Sequence, residues 1–498
     1  MKSPLLLPIF FSFILLPPFS LSSPPPPSTV CIIGSGISGS SVAHFLRKYS
    51  PEPSPISTIH IFERNHVVGG RMATVTVANH TFEAGASIIH PKNYHTSNYT
   101  EYLNLKKKFP GGDDDDSSLG IWDGNKFVFK TWTGFGFNWG FSFFNKVVSL
   151  VNDFKFFWRY GFSLLRMQNF VEDMLGNFLK YYEGLDTRPV FNDVEGMLKW
   201  SGLYNLTRRT LEDELIDAGL SPILIKELVT VITRINYGQS VSMSGLAGAV
   251  SLAGSGGGFW AVEGGNWQMA AGLISKSDVN LHLNEEIQSV SHLGNDYELN
   301  STKGNSYKCQ VTVFSTPLDE LDVAFDPPIS IPQRKMQHTH TTFIRGLLNH
   351  RYFGLTRVEE IPDLVGTLED SDIPFSCISV LKKHNKEEMT YKMFSRKPLD
   401  DALLDQLFSI RKETIRINWA AYPHYEAPEA FAPFILDDLH LYYVNAFESA
   451  ASAMETGAVS GENIARLILS RLAAEQYSTL PMKSATFSSI SDYQHSDL

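Results

Sequence analysis

The chain has 498 residues, 43% of them hydrophobic and 12% aromatic, and a formal net charge of −11. That length exceeds what one small core accommodates and asks for two domains. The acidic balance excludes nucleic acid as a partner, because phosphate binding needs a basic footprint. Three cysteines are too few for a disulfide framework.

Residues 1–23 stand apart from the rest. Lys2 precedes an apolar run at 5–16, then Pro17-Pro18 and a serine-rich stretch, which predicts a secretory signal peptide. A membrane anchor is the alternative, but the run falls short of the roughly 20 apolar residues a spanning helix needs. Residues 23–27 read as a spacer. Four N-glycosylation acceptors, Asn79, Asn98, Asn205 and Asn300, fit a secretory route.

A short apolar run at 30–33 predicts a buried parallel strand, followed at once by Gly34-Ser35-Gly36 and Gly39 and then by a helical pattern to Tyr49. In such a strand–turn–helix, Gly34 allows the turn, Gly36 admits a pyrophosphate, and Gly39 lets helix and strand pack closely. The helix N-terminus favours the anion. A second strand at 58–62 ends in Glu63, placed to accept hydrogen bonds from a ribose. Arg64, Gly69, Gly70 and Arg71 follow, offering more backbone N–H groups and a cation to the phosphates. The pattern Glu63…Gly69-Gly70-Arg71 resembles the flavin amine oxidase superfamily. That resemblance implies FAD, not NAD, and a Rossmann-like α/β domain interleaved with an α+β substrate domain.

Glu83-Ala-Gly85-Ala86-Ser87 corresponds to the next block of that pattern, in which small residues pass against the flavin; His90, just beyond, is a candidate for contact with substrate or flavin. Four consecutive acids at 113–116 lack the alternating spacing of a calcium loop, so no metal is predicted. Residues 121–175 are dense in aromatics, with helical spacing from about Phe143. They suit the core of a helical cap, and also a surface that lines an apolar tunnel or meets a membrane interface. An amphipathic helix is predicted over 211–232, and Arg234 and Tyr237 suit a polar head group. A small-residue helix over 244–253 and a glycine run at 254–258 lead to Phe259 and Trp260, candidate substrate contacts, and to Glu263, which with His90 is a candidate for orienting a catalytic water. A helix over 269–274 and strands over 279–283, 286–292 and 309–314 return the chain to the first domain, and 321–433 leaves it again.

The last block is a strand from Leu441, then Asn445-Ala446, Met454-Glu455 and a helix over 462–472. The superfamily places such a strand–loop–helix against the flavin, with Gly-Glu where this chain has Asn445-Ala446. The cysteine that carries covalent flavin in some amine oxidases is absent, so non-covalent FAD is expected. The expected division is FAD domain at 28–92, 255–320 and 435–475, substrate domain at 93–254 and 321–434, and a tail at 476–498. Cys31 reads as a buried core thiol, with a bridge between Cys309 and Cys377 left open.

The leader, Ile88-Ile-His-Pro-Lys-Asn93, Arg234-Ile-Asn-Tyr-Gly-Gln239 and Ala261-Val-Glu-Gly-Gly-Asn266 resemble the prenylcysteine oxidases, and most closely the plant farnesylcysteine lyases. The resemblance implies a secretory-pathway, lysosomal or vacuolar thioether oxidase. It would use FAD and oxygen to convert S-prenyl cysteine into a prenyl aldehyde, cysteine and hydrogen peroxide. The allylic carbon on sulfur supports a cation, water adds to it, and the hemithioacetal collapses, so positioning and water exclusion matter more than a strong base. No obligate protein partner is evident, and peripheral membrane contact is compatible with the aromatics. A secreted amine or polyamine oxidase and a non-catalytic lipid carrier are the alternatives.

Overall fold

The computed structural model describes residues 27–109, 118–132 and 142–478. The expected signal peptide, the acidic run at 113–116, the aromatics at 133–141 and the end of the tail lie outside the described residues.

Strand β1 (Ser28–Ile33) leads through the glycine turn into helix α1 (Ile37–Tyr49) and back into strand β2 (Ile56–Glu63). These two strands are central in a five-stranded sheet, all parallel, with Val311–Phe314 and then Leu441–Tyr443 on one side and Asn280–Leu283 on the other. Both faces are covered, which is why β1 reads as an unbroken apolar run. On one face α1 packs against the helices Trp267–Lys276 and Met454–Ser478. A four-stranded sheet built from residues 287–326 adds Ile287, Val290, Tyr297 and Leu299 to the same core.

The second domain is built on a seven-stranded sheet. Its long strands Met336–Leu348 and Phe408–Pro423 pair antiparallel, and Leu119–Trp122 and Phe127–Lys130 close the far edge. Helix α2 (Tyr94–Tyr102) packs on the C-terminal helix. Helices α3 (Ser142–Tyr160) and α4 (Ser163–Phe178) form a bent pair over a separate apolar cluster that includes Leu224, Tyr237 and Tyr425.

Three expectations are corrected. Cys31 is not a free thiol: it is bridged to Cys309, with Cα atoms 5.9 Å apart, and Cys377 is the free, buried cysteine. The strand Ser306–Cys309 delivers Cys309 just ahead of Val311–Phe314, in which Thr312 pairs with Cys31. Cys377 belongs to the other sheet. The helix expected over 211–232 is broken after Leu211–Asp217, because Gly219 takes a left-handed φ of +76° and Pro222 has no N–H to donate. It resumes from Pro222 through a π-helical turn to Tyr237. The aromatic helix likewise divides at Gly161, φ +57°.

Candidate functional site

A cavity of about 570 Å³ opens where the glycine turn, the segment 84–86, the start of the C-terminal helix and the paired ends of Met336–Leu348 and Phe408–Pro423 converge. Its floor is the phosphate cradle. Gly34 has φ +109°, and a Cβ there would meet the Ser315 carbonyl oxygen at 2.8 Å. A Cβ on Gly39 would lie 2.1 Å from the Gly34 oxygen, so helix and turn touch as the spacing requires. Gly70, φ +55°, lies against Gly36, and the Gly69 N–H donates to Ser35 O. Helix α1 has no side-chain cap and no acid in its first turn, leaving its positive end to an anion.

Glu63 sits at the end of β2, 5% exposed. One carboxylate oxygen accepts from the Ser35 N–H at 3.2 Å and its hydroxyl at 2.6 Å; the other accepts from the Asn65 N–H and amide. Arg64 and Arg71 also line the cavity. The Arg71 guanidinium donates to Ala421 O at 2.7 Å and pairs with Glu448 at 2.5 Å, so its charge is spent across the domain junction. Burial raises the Glu448 carboxyl, but Arg71 and Arg334 outweigh it and hold the group below the usual carboxylate range.

Of the remaining predicted residues, Ala86 and Met454 line the cavity. Ser87 stands behind the wall: its hydroxyl donates to Gly85 O and accepts from Lys392. Glu455 faces away from the cavity and secures the first turn of α2, accepting from the His95 and Thr96 N–H groups and from the Thr96 and Tyr182 hydroxyls. The other six assignments, His90, Arg234, Tyr237, Phe259, Trp260 and Glu263, concern the reaction side. His90 is outside the cavity lining, where its Nδ1 accepts from Lys92 N and its ring lies 5.7 Å from Phe259. Glu263 is exposed on a turn. Trp260 is buried beneath the Lys107 ammonium, its backbone paired with Ile89. Arg234 is buried against Glu369 and Thr367, while Tyr237 reaches the site only through Ser452 O, to which it donates at 2.7 Å. None of these six lines the cavity, and the His90 ring, the Arg234 guanidinium and the Tyr237 hydroxyl are hydrogen-bonded within the fold.

The wall opposite the cradle is what sequence reasoning missed. His338, Thr339, Thr341, Phe394, Asn418, Trp419 and Tyr422 line it. Their strands alternate ordinarily in sequence, so only their pairing reveals them. Lys392 carried the one readable signal, a lysine among buried neighbours in Glu388–Ser395. Its ammonium donates to Glu83 O at 2.9 Å and Ser87 Oγ at 3.1 Å and lies over the rings of Phe394 and Phe343; burial lowers it to about 8. Burial raises the Glu83 carboxyl to about 7 against the pull of the Asn266 N–H and Lys392.

Three residues of the lining, Thr341, Trp419 and Asn445, each carry a buried side-chain polar atom, Oγ1, Nε1 and Oδ1 respectively, with no hydrogen-bond partner among the described residues. An unpaired buried polar atom is costly. Unpaired polar groups on lining residues, together with an intact cradle, fit a long ligand with a dinucleotide at one end and a polar ring system at the other. FAD has that form.

A model of the prenylcysteine lyase family matches residues 143–479. The chain belongs to the prenylcysteine lyase family. A Rossmann-like NAD(P)-binding domain model matches 32–103, the cradle described above. The family member farnesylcysteine lyase of Arabidopsis thaliana is 63% identical over 472 residues, covering 95% of this chain and 93% of its own length. Prenylcysteine oxidase 1 of Homo sapiens is 35% identical, with 90% of each chain covered. Among solved structures, cyclohexylamine oxidase from Brevibacterium oxydans aligns with a TM-score of 0.57 at 17% identity over 90% of this chain and 100% of its own. A putrescine oxidase bound to putrescine aligns at 0.56 and 14% identity, covering 89% and 99%. At such identities these two neighbours establish the fold of the family member and nothing of its substrate.

Proposed function

We propose that this family member is an FAD-dependent thioether oxidase that cleaves S-farnesyl cysteine to farnesal, free cysteine and hydrogen peroxide. The observation that carries the reading is the complete cradle, with unpaired polar groups on residues of the same cavity lining, in a chain 63% identical to a farnesylcysteine lyase. FAD bound there supplies the two-electron acceptor and passes the electrons to oxygen. The chain's own residues bind and orient. Glu63 holds the ribose hydroxyls and the α1 N-terminus the pyrophosphate. Phe394, Trp419 and Tyr422 give the isoprenoid an apolar wall and keep water from the reacting carbon. A strong base is not required, because sulfur supports the cation; Glu448, the carboxylate tied to Arg71, holds the two domains together across the site.

Non-covalent FAD agrees with the cysteines: Cys31 and Cys309 are bridged to one another and Cys377 does not line the cavity. Acid precipitation should release all the flavin into the supernatant. The secretory route with lysosomal or vacuolar delivery is supported by the leader-like start and by exposed Asn79, Asn98 and Asn205, whereas Asn300 is half-buried and donates to Ser289. Endoglycosidase treatment of the protein from its native host should shift its mobility.

The reading is tested anaerobically. Purified protein is mixed with S-farnesyl cysteine and the oxidised flavin band is followed. Bleaching, with farnesal and cysteine appearing in equal amounts after air is admitted, is the expected result. A flavin that stays oxidised with farnesyl cysteine and bleaches with a polyamine overturns it in favour of an amine oxidase.

A further inference from the structure

The bent helix pair α3–α4 presents a row of large apolar side chains to solvent. Along α3 the exposed large hydrophobics are Leu150, Phe154, Phe157 and Trp158, a helical stripe that also carries the exposed Asp153, and across Gly161 it continues through Phe162 and Leu165. Trp158 is 80% exposed, the highest value for any large hydrophobic side chain among the described residues; Phe162 is at 68% and Phe154 at 61%. The rings are ordered against one another. Phe154 stacks on Trp158 at 5.9 Å, and Phe157 meets Phe162 edge-on at 5.4 Å, joining the two helices. The opposite face satisfies the core: Phe156 and Tyr160 pack on Phe129. The outward stripe is thus surplus to folding, and aromatic residues spaced for a surface carry a cost in water that an occupant must offset.

The charges around the stripe say what the occupant is. Within 150–166 stand Lys155, Arg159 and Arg166 against one acid, Asp153, in a chain of net charge −11. Arg159 is cancelled by Glu227. Lys155 donates to the Lys130 carbonyl, Lys130 to the Glu360 carbonyl and Arg166 to the Gly219 carbonyl. Lys155 and Arg166, on the helices that carry the stripe, are thus held by uncharged acceptors and keep their positive charge. A Trp/Phe/Leu face bordered by cations is the pattern of a helix lying in a lipid headgroup layer. No helix among the described residues is long and apolar enough to cross a membrane, so the contact is peripheral.

We propose that α3 and α4 dock the protein on an anionic lipid bilayer, with Phe154, Trp158 and Phe162 inserted at the headgroup boundary and Lys155 and Arg166 facing lipid phosphates. An S-prenyl amino acid partitions into such a surface, so docking brings the protein to the phase that holds its substrate. That consequence rests on the thioether-oxidase reading; the docking does not.

The test is flotation of the purified, flavin-loaded full chain with phosphatidylcholine vesicles, with and without phosphatidylserine. The wild type co-floats with the anionic vesicles. Joint replacement Phe154→Ser, Trp158→Ser and Phe162→Ser lowers the partition coefficient by at least roughly tenfold at unchanged flavin content. Lys155→Ala with Arg166→Ala weakens binding to anionic vesicles and leaves the weaker binding to neutral ones unchanged. Because the triple variant alters folding if the stripe is internal, Trp158→Phe supplies a second readout. It keeps binding but removes the quenching of tryptophan emission by brominated lipid. Failure of the wild type to float, or equal flotation of wild type and triple variant, overturns the proposal. A wild-type dimer in solution that the triple variant converts to monomer, with no vesicle binding by either, overturns it too and assigns the face to a second copy. None of these outcomes depends on turnover, so a failure here is distinct from a failure of the substrate reading.

Discussion

Glu462 holds the C-terminal helix, which lines the cofactor cavity at Met454, Thr456 and Gly457, to the rest of the molecule. One carboxylate oxygen takes Arg188 at 2.5 Å and lies 3.4 Å from His95 Nε2; the other accepts from the Tyr49 hydroxyl at 2.6 Å. Burial pushes this carboxyl up, but His95, Arg188 and Tyr49 together draw it from its ordinary 4.5 to about 2. A group whose folded value is depressed contributes stability above its unfolded value and loses it as pH falls through the folded one. At about 1.4 kcal/mol per tenfold change in proton affinity, the contribution at neutral pH is roughly 3 kcal/mol, of which about 2 kcal/mol has gone by pH 3. Glu462→Gln removes the charge and keeps the shape, stranding Arg188, itself buried, without a counter-ion; breaking such a pair costs about 3–5 kcal/mol. Urea titrations of the flavin-loaded protein at steps from pH 7 to pH 3 should therefore show a large gap between wild type and variant at pH 7. The gap should narrow by about 2 kcal/mol at pH 3. Parallel stability curves across that range would refute the assignment of the charge to this network.

Gly39→Ala places a Cβ 2.1 Å from the Gly34 oxygen and 2.5 Å from Ser315 Oγ, so the turn must move; flavin content on purification should fall to a small fraction of wild type, with a stability loss of about 1–3 kcal/mol, and full occupancy would contradict the cradle. Lys392→Met removes the buried ammonium beneath Glu83–Ser87. The pH profile of anaerobic flavin bleaching should show a limb near pH 8 in the wild type that is absent from the variant. Cys31→Ser opens a bridge spanning 278 residues; chain-entropy bookkeeping puts the loss at up to about 5 kcal/mol, read as a lower urea midpoint that added reductant no longer changes. An unchanged midpoint would mean that the bridge contributes nothing.

The dinucleotide half of this protein was legible because its constraints are local. Gly34, Gly36 and Gly39 lie within six residues, and Glu63 and Gly69-Gly70 follow one helix and one strand later. Backbone geometry at those positions admits few side chains, so the pattern survives in one dimension. Helix breaks were misread where a single Gly or Pro competed with a good apolar period, at Gly219-Pro222 and at Gly161.

The reaction side belongs to tertiary structure. Cys31 and Cys309 are 278 residues apart, and only strand order brings them together. Arg71 meets Glu448, Lys392 meets Glu83 and Ser87, and Thr341 and Asn445 line one cavity because two sheets from separate stretches of chain close on it. Conversely, Arg234, Glu263 and Trp260 were chemically plausible by residue type and were placed elsewhere by packing. Sequence by itself determined the cradle, because turn and helix geometry restrict residues close in the chain. The opposite wall was decided by the fold, because pairing between distant strands leaves no periodic trace in either of them.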